Sequence, residues 1–223
     1  HLDLSVSGDK TGIAGVWIKG KKPSTSGLNQ ANDLFYKLAF SVSVKAPKGR
    51  QVSFEKNRNF IYWLKEQGFN IRGISTDTFQ SYDTGQALTD KGYNYSIISV
   101  DRVDTQSHIC IPYQYFKNTI YEQRIEIYDS QLLTQEITEL ERNLNTGKVD
   151  HPSQGSKDAS DAVCGAVFNA SKFAEEYAYD YGENSQLLLD VNEDNNRDFK
   201  RQLTLDMNAL MNELAQSDNK QII

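Results

Sequence analysis

Residues 2–18 read LDLSVSGDKTGIAGVWI, and this stretch predicts how the chain begins to fold. Residues 2–6 alternate between apolar and polar side chains, as in a short strand. Gly8 to Gly12 has the composition of a tight turn, and Ile13 to Ile18 predicts the returning strand. The stretch therefore predicts an antiparallel hairpin at the start of the chain.

Outward from this hairpin, the pattern predicts a mixed sheet covered by helices. Residues 19–33 are polar and predict a loop, and residues 38–46 alternate as a third strand. Further strands are predicted at residues 69–75 and 95–100. Helices are predicted between Ser53 and Gly68 and over residues 78–90, 110–124, 130–144, 156–179 and 198–216. Three consecutive strands followed by strands that alternate with helices predict an α/β domain with a mixed central sheet.

The length and composition of the chain limit the classes of protein to consider. A chain of 223 residues is long enough for one well-buried core and short for two. It lacks an apolar run near the ~18 residues that a membrane span needs, and its start lacks a signal-peptide pattern. We therefore expect a soluble protein that is not secreted and has no membrane partner. Cys110 and Cys164 lie far apart in apolar surroundings, which predicts buried free thiols in a reducing compartment.

Charge is distributed unevenly along the chain. The net charge is −6, yet residues 1–75 carry 12 lysines and arginines against 5 acidic residues, and the remainder carries 12 against 25. A basic face can bind a polyanion even on an acidic protein, because binding depends on the local potential. The basic segments Lys19–Lys22 and Lys45–Arg58 would suit contacts to a DNA backbone, although solvated loop lysines explain the charge equally well.

Four aspartates are candidates for chemistry, and each also has an ordinary structural interpretation. Asp3 lies on the face of its strand opposite to its two leucine neighbours, where the alternative is a hydrogen-bonded structural side chain. Asp77 directly follows a predicted strand and would equally suit the N-cap of the next helix. Asp158 and Asp161 stand three residues apart in the first turn of a helix, where acidic residues also favour the helix dipole.

Together the four aspartates predict a cation site. Small residues beyond Asp161, such as Gly165, would let that helix pack closely on the sheet and bring its acids towards Asp3. Carboxylates that offer only oxygen ligands suit hard cations such as Mg²⁺ and Mn²⁺. Two such ions about 4 Å apart would promote hydrolysis of a phosphodiester bond.

Three blocks of the sequence contain the candidate aspartates. The blocks are His1-Leu2-Asp3-Leu4-Ser5 with Gly8-Asp9-Lys10-Thr11-Gly12, then Gly68-Phe69-Asn70 leading to Ser75-Thr76-Asp77-Thr78-Phe79-Gln80-Ser81, and Asp150-His151-Pro152 followed by Gly155-Ser156-Lys157-Asp158-Ala159-Ser160-Asp161. In this order they resemble the nuclease domain of the terminase large subunit, the DNA-packaging motor of tailed bacteriophages. The resemblance covers roughly residues 1–175. Segments 124–128 and 136–140 fit the helical connection between the second and third blocks.

The resemblance implies an RNase H-like fold with helices on both faces of the sheet. It implies an endonuclease that cuts concatemeric double-stranded viral DNA with two Mg²⁺ or Mn²⁺ ions. Asp3 then corresponds to the bridging metal ligand and Asp77 to a second ligand. Asp158 and Asp161 share the third position, with Asp161 favoured as the direct ligand. Asp9 and Asp150 are interpreted as turn or supporting residues. His151, an isolated histidine before a proline, is interpreted as structural, with a supporting role as the alternative.

The resemblance also implies partners in the full protein: an ATPase domain, the small terminase subunit and the portal, in the cytoplasm of the host cell. A glycine-rich phosphate loop ending in Lys-Ser or Lys-Thr does not occur here, so we expect no ATP site in this chain and a domain separated from its ATPase. Residues 1–180 are predicted as the nuclease domain. Residues 181–223 are predicted as an acidic linker and an amphipathic helix that packs on the domain or docks to a partner.

Three other functions compete with this hypothesis. Another RNase H-like nuclease, such as a junction resolvase or recombinase, would share the acidic cluster but not the Gly-Ser-Lys-Asp block. An actin-like or sugar-kinase-like nucleotide binder would need a second phosphate-binding hairpin, which the sequence does not show. A non-catalytic DNA clamp or motor-docking module would not need all four acids.

Overall fold

The structure is a computed structural model, and it describes residues 1–5, 10–23, 32–46, 52–78 and 81–174. The strands within these ranges are β1 Leu2–Asp3, β2 Lys10–Pro23, β3 Asn32–Lys45, β4 Ile74–Thr76, β5 Tyr95–Ile97, β6 Val103–Asp104, β7 Ile109–Cys110, β8 Ile125–Glu126, β9 Glu141–Arg142 and β10 Val149–Asp150. The helices within them are α1 Phe54–Glu66, α2 Ser81–Asp90, α3 Ile111–Tyr121, α4 Gln131–Glu139 and α5 Asp158–Ser171.

Six of the described strands form one mixed sheet in the order β5-β4-β1-β2-β3-β8. β1, β2 and β3 are antiparallel neighbours. β4 runs parallel to β1, β5 runs parallel to β4, and β8 runs parallel to β3. The described residues therefore form an α/β domain with a mixed central sheet, as the order of strands and helices in the sequence predicted.

A β-bulge directs side chains of β3 to both faces of this sheet. Ala39 has no partner in the pairing of β2 with β3, because Gly15 pairs with Phe40 and Val16 pairs with Leu38. Residues two apart on a regular strand share a face, but this extra residue places Leu38 and Phe40 on opposite faces. Leu38 packs in the apolar cluster that contains α5, whereas Phe40 meets the ring of Phe60 in α1 edge-on, with 5.6 Å between ring centroids. Helices therefore cover both faces of the sheet.

Helix α5 lies against the middle of the sheet and is mostly buried. Ten of its 14 residues are buried, and most of them are small. Small side chains allow the helix axis to lie close to the strands, so the first turn of α5 reaches the central strand β1. Cys164 of this helix and Cys110 are both buried free thiols, as the sequence predicted.

Local signals predicted α1 correctly. The Ser53 hydroxyl accepts a hydrogen bond from the Lys56 amide at 3.3 Å, which satisfies one of the free N–H groups of the first turn. The helix ends at Glu66, and Gly68 follows with φ +90°, a backbone conformation that favours glycine. Both ends of α1 therefore follow from the sequence.

Several predicted boundaries are wrong, each where pairing with a distant strand decides the backbone conformation. The predicted loop at 19–33 is shorter, because β2 continues to Pro23 and β3 already begins at Asn32. The strand predicted at 69–75 is confined to Ile74–Thr76, and the one at 95–100 is confined to Tyr95–Ile97. β8 extends the sheet directly after the helix predicted at 110–124.

The region predicted as one helix over residues 130–144 is also different. α4 ends at Glu139, and the chain then forms an antiparallel ladder between β9 and β10. Gly147 has φ +75° in the turn between these strands. The helix predicted at 78–90 begins later, at Ser81.

Several predictions fall outside the residues that the structure describes. They include residues 8 and 9 of the predicted turn and the predicted linker and helix in residues 181–223. The bounds of the helix predicted at 156–179 are wrong, because α5 spans only Asp158–Ser171 and Lys172 is its C-cap residue. Among the described residues, no helix is both long enough and apolar enough to cross a membrane.

Candidate functional site

Three of the four candidate aspartates line one pocket. Asp3, Asp158 and Asp161 face a cavity of about 270 Å³ where the first turn of α5 meets strand β1. The segment that leads into α5 forms another wall of this cavity, with His151 and Lys157 among its lining residues. A strand and a helix that are more than 150 residues apart in the sequence thus contribute carboxylates to the same space.

Gly12 is the reason that α5 can approach Asp3 so closely. Gly12 is the cross-strand partner of Asp3 in the β1–β2 ladder. A Cβ atom at position 12 would lie 2.0 Å from the backbone oxygen of Asp158 and 3.0 Å from the Cβ of Ala162. Only a residue without a side chain leaves room there for the start of α5.

Asp77 directly follows β4, the strand beside β1. Its backbone amide donates a hydrogen bond to the Leu2 carbonyl at 3.3 Å, which places it beside β1. Its carboxylate accepts hydrogen bonds from the backbone amide of Thr78 and from the Thr78 hydroxyl. The alternative interpretation of Asp77 as a helix N-cap stays a prediction, because residues 79 and 80, between Thr78 and the described start of α2 at Ser81, lie outside the described residues.

The electrostatics of Asp3 depend on its burial and on the other three aspartates. Burial and then the charges of Asp161, Asp158 and Asp77 raise the pKa of Asp3 from 3.8 to about 8, and the Lys157 charge opposes them. A carboxyl group with such neighbours is held in its neutral form unless positive charge is supplied. The arrangement therefore favours either a proton or a cation at Asp3.

Asp161 is the most buried of the four candidate aspartates, with 6% of its surface exposed. Its Oδ1 accepts a hydrogen bond from the Tyr113 hydroxyl, and its Oδ2 lies 3.3 Å from the Lys157 ammonium. Burial raises the pKa of Asp161 to about 6, while Lys157 and Tyr113 act in the opposite direction and favour the charged form. Tyr113 and Lys157 thus hold this carboxylate in a defined orientation.

Lys157 is a basic residue within the acidic pocket, and the sequence analysis did not select it. Its ammonium donates to Asp101 at 2.9 Å and to the Val149 carbonyl at 3.4 Å, besides its ion pair with Asp161. Burial alone would lower the pKa of Lys157, but Asp161 and Asp101 raise it well above the usual value. Its position directly before Asp158 could have marked Lys157 as part of the pocket. Nothing in the sequence marked Asp101 or Tyr113 in this way.

Asp158 begins α5 and is held by a short hydrogen bond. The hydroxyl of Ser156 lies 2.5 Å from Asp158 Oδ2. The same hydroxyl lies 3.1 Å from Oε1 of Glu136, a carboxylate of α4 that is only 3% exposed. Glu136 was another residue that sequence reasoning missed as part of the site.

The carboxylate donors have the chemistry of a hard-cation site but are not gathered around a single point. Within the described ranges, no three His, Cys, Asp or Glu side chains are already grouped closely enough to hold a metal ion. The hydrogen bonds described above are consistent with this spacing, because each holds a carboxylate in place. Asp77 is bound by Thr78, Asp158 by Ser156, and Asp161 by Tyr113 and Lys157. The acids therefore lie close enough for the other three to affect the pKa of Asp3, but they are not grouped closely enough to bind one cation together.

The structure thus brings Asp3, Asp158 and Asp161 into one pocket and places Asp77 on the adjacent strand. Comparisons of the chain with protein-family models, curated proteins and solved structures found no significant match.

His151 lines the pocket, and its ring Nδ1 is 2.7 Å from the Pro152 carbonyl. Asp150 is not among the residues that line the pocket; it is well exposed, and its carboxylate accepts a hydrogen bond from the His151 amide at 2.9 Å. The roles of Asp150 and His151 stay predictions, and Asp9 lies outside the described residues.

Some of the basic residues proposed for DNA contacts are paired within the chain. The Lys19 ammonium lies 2.7 Å from Glu126, and Arg58 lies 2.5 Å from Asp83. Lys10 and Lys45 are cross-strand partners at the ends of β2 and β3. The positive potential of the two segments is therefore partly offset by neighbouring acids.

The raised pKa of Asp3 leads to an expected pH dependence of stability when divalent cations are absent. Between about pH 4 and about pH 8 the folded protein keeps a proton on Asp3 that the unfolded chain releases. The free energy of unfolding should therefore fall as the pH rises through this window, by at most about 1.4 kcal/mol per pH unit for one proton. We expect an Asp3→Asn variant to lack this contribution, so its stability relative to the wild type should increase across the window.

Urea unfolding of both proteins in EDTA, repeated from about pH 4 to about pH 9, measures this difference. Other titrating groups are common to both proteins and largely cancel. Two curves that stay parallel over the whole range would contradict the electrostatic description of Asp3.

Proposed function

We propose that this chain is a metal-dependent endonuclease of the RNase H-like class. One observation carries the proposal: carboxylates from β1 and from the first turn of α5 line one pocket, with Asp77 on the adjacent strand. The sheet order β3-β2-β1-β4-β5, with three antiparallel strands followed by parallel ones, is compatible with an RNase H-like fold. Ligand sites in α/β domains commonly lie at strand ends, where Asp77 is found.

The donor set fits Mg²⁺ or Mn²⁺. Asp3, Asp77, Asp158 and Asp161 offer only oxygen ligands, which hard cations prefer. The raised pKa values of Asp3 and Asp161 fit as well, because a cation would offset the burial, and the repulsion between acids, that now favour protonation. A pair of such cations would supply a more acidic water and the positive charge that phosphodiester cleavage requires.

Each aspartate then has a role in the proposal. Asp3 would be the shared ligand, because it lies between the other acids and is influenced by all of them. Asp161 affects the pKa of Asp3 more strongly than Asp158 does, which favours Asp161 as the direct ligand on α5. Asp77 and Asp158 would exchange their hydrogen bonds with Thr78 and Ser156 for cation contacts.

Lys157 would contribute orientation and charge. It fixes one oxygen of Asp161 and reduces the net negative charge that an incoming phosphate meets. The N-terminal end of the α5 helix dipole adds positive potential at the same place. Both features favour a phosphodiester backbone as the substrate, without any reading of bases.

The biological setting is the most specific part of the proposal and rests on the order of the three sequence blocks. In that setting the chain is the nuclease domain of a phage terminase large subunit and cuts concatemeric viral DNA at the start and end of packaging. Its partners would be double-stranded DNA, an ATPase domain, the small terminase subunit and the portal, in the host cytoplasm. A resolvase-type nuclease with the same fold would share the pocket but cut branched DNA preferentially.

A non-catalytic DNA clamp is the second candidate function. The hydrogen bonds that retain Asp77, Asp158 and Asp161 favour it, because a clamp requires no cation in this pocket. The clamp would bind DNA and leave the phosphodiester bonds intact.

Incubation of the purified chain with supercoiled plasmid separates these functions. We expect nicked and then linear DNA with Mn²⁺ or Mg²⁺, little dependence on sequence, and no cleavage in EDTA. Binding without cleavage at any cation concentration would support the clamp, and cleavage in EDTA would exclude the proposed mechanism. A thermal-shift titration with ATP tests for a nucleotide binder, for which alone a stabilising shift is expected.

A further inference from the structure

Glu136 is a buried carboxylate that belongs to none of the blocks with candidate metal ligands. It lies in the middle of α4 and is 3% exposed. A buried carboxylate is costly unless hydrogen bonds satisfy it, so its partners indicate what it does. Both partners belong to the segment that starts α5.

The first partner is the backbone of α5. Glu136 Oε2 accepts the Ser160 amide hydrogen at 2.9 Å. Ser160 is the third residue of the helix, so this amide is one of those that no helical carbonyl can satisfy. Lys157, which occupies the N-cap position, makes no side-chain capping hydrogen bond. Glu136 therefore performs from another helix the function that an N-cap side chain usually performs.

The second partner connects Glu136 to a candidate ligand. The Ser156 hydroxyl lies 3.1 Å from Glu136 Oε1 and 2.5 Å from Asp158 Oδ2. One hydroxyl thus lies between the buried carboxylate and the carboxylate in the pocket. A shift of Glu136 would move Ser156 as well as the first turn that carries Asp158 and Asp161.

We infer that Glu136 is a positioning residue, which sets the place of the Asp158 and Asp161 carboxylates and thereby the affinity of the pocket for a divalent cation. The cation part of this inference rests on the proposed function. The geometric part concerns only the start of α5 and is independent of any cation.

Two substitutions separate the reach of this side chain from its charge. Glu136→Gln keeps the length, so its amide oxygen can still accept from Ser160 and its amide nitrogen can donate to Ser156. Glu136→Asp keeps the charge but is one methylene too short to reach both partners. Glu139→Gln removes a charge from a more exposed position on the same helix and serves as the matched control.

Amide hydrogen exchange in EDTA tests the geometric part. We expect Glu136→Asp to increase exchange in the first turn of α5 roughly tenfold, since a hydrogen bond to a charged acceptor is lost. Glu136→Gln and Glu139→Gln should stay near the wild-type rates. Wild-type rates in Glu136→Asp, or faster exchange in Glu136→Gln than in Glu136→Asp, would overturn the inference.

Calorimetric titration with Mn²⁺ alone tests the cation part, at a temperature where circular dichroism shows all variants folded. We expect Glu136→Asp to weaken binding about tenfold to a hundredfold, and Glu136→Gln to stay within about threefold of the wild type. Equal binding by the wild type and Glu136→Asp would overturn the inference and leave the proposed function intact. No Mn²⁺ binding by the wild type would instead overturn the proposed function together with the cation part, while hydrogen exchange still decides the geometric part.

Discussion

Replacement of Asp3 by asparagine is expected to lower Mn²⁺-dependent nicking about a thousandfold, because several kcal/mol of transition-state stabilisation depends on the cation. Asp3 is the only one of the four aspartates that lies within the central sheet itself, and the other three all influence its charge. An amide at position 3 offers one neutral oxygen in place of a carboxylate, so a shared cation would lose its main anionic ligand. The measurement is the initial rate of plasmid nicking at saturating Mn²⁺.

Asp129→Asn is the matched control for this experiment, since it makes the same chemical change at an exposed position outside the pocket. We expect it to retain activity within about twofold of the wild type. Asp3→Asn should also be at least as stable as the wild type in EDTA near pH 8, because it removes a repelled charge. A stable Asp3→Asn protein with undiminished nicking would contradict the proposed mechanism.

Replacement of Gly12 by alanine is expected to cause the largest loss of stability among simple substitutions near the pocket. The new methyl group would lie 2.0 Å from the Asp158 carbonyl oxygen. Backbone atoms cannot rotate away as a side chain does, so either α5 or β2 must move. We expect a loss of at least about 3 kcal/mol in the free energy of unfolding, at the upper end of the usual range for overpacking.

For a domain of this size that loss corresponds to a decrease of about 10 °C in the melting temperature, measured in EDTA. Nicking at low temperature should decrease as well, because the displaced helix carries Asp158 and Asp161 away from Asp3. If the pocket binds a cation as proposed, one glycine therefore affects both cation binding and stability.

Gly165→Ala provides a graded comparison at the same interface between helix and sheet. There the added methyl group would lie 2.3 Å from the ring of His1, a buried side chain that can shift more readily than backbone. Alanine also favours the helix by about 1 kcal/mol relative to glycine, which offsets part of the clash. We expect Gly165→Ala to lose clearly less stability than Gly12→Ala. An equal loss in both variants would contradict the special role of the contact between Gly12 and Asp158.

The sequence by itself determined the elements whose signals are local. The opening hairpin and α1, with its Ser53 cap, follow from side-chain alternation, helical periodicity and the properties of single residues. The same alternation placed Asp3 on the face opposite to the two buried leucines beside it. The buried thiols followed from their apolar neighbours.

The tertiary structure alone decided strands β8, β9 and β10 and the geometry of the pocket. β8, β9 and β10 are too short to show a periodic pattern, and only their hydrogen-bonded partners make them strands. Glu136 and Tyr113 reach Asp158 and Asp161 across 20 or more residues of sequence, a separation that leaves no local signal. The sequence places four acids on particular faces, but how near they come to one another depends on how closely α5 packs on the sheet, and Gly12 sets that distance through tertiary contact.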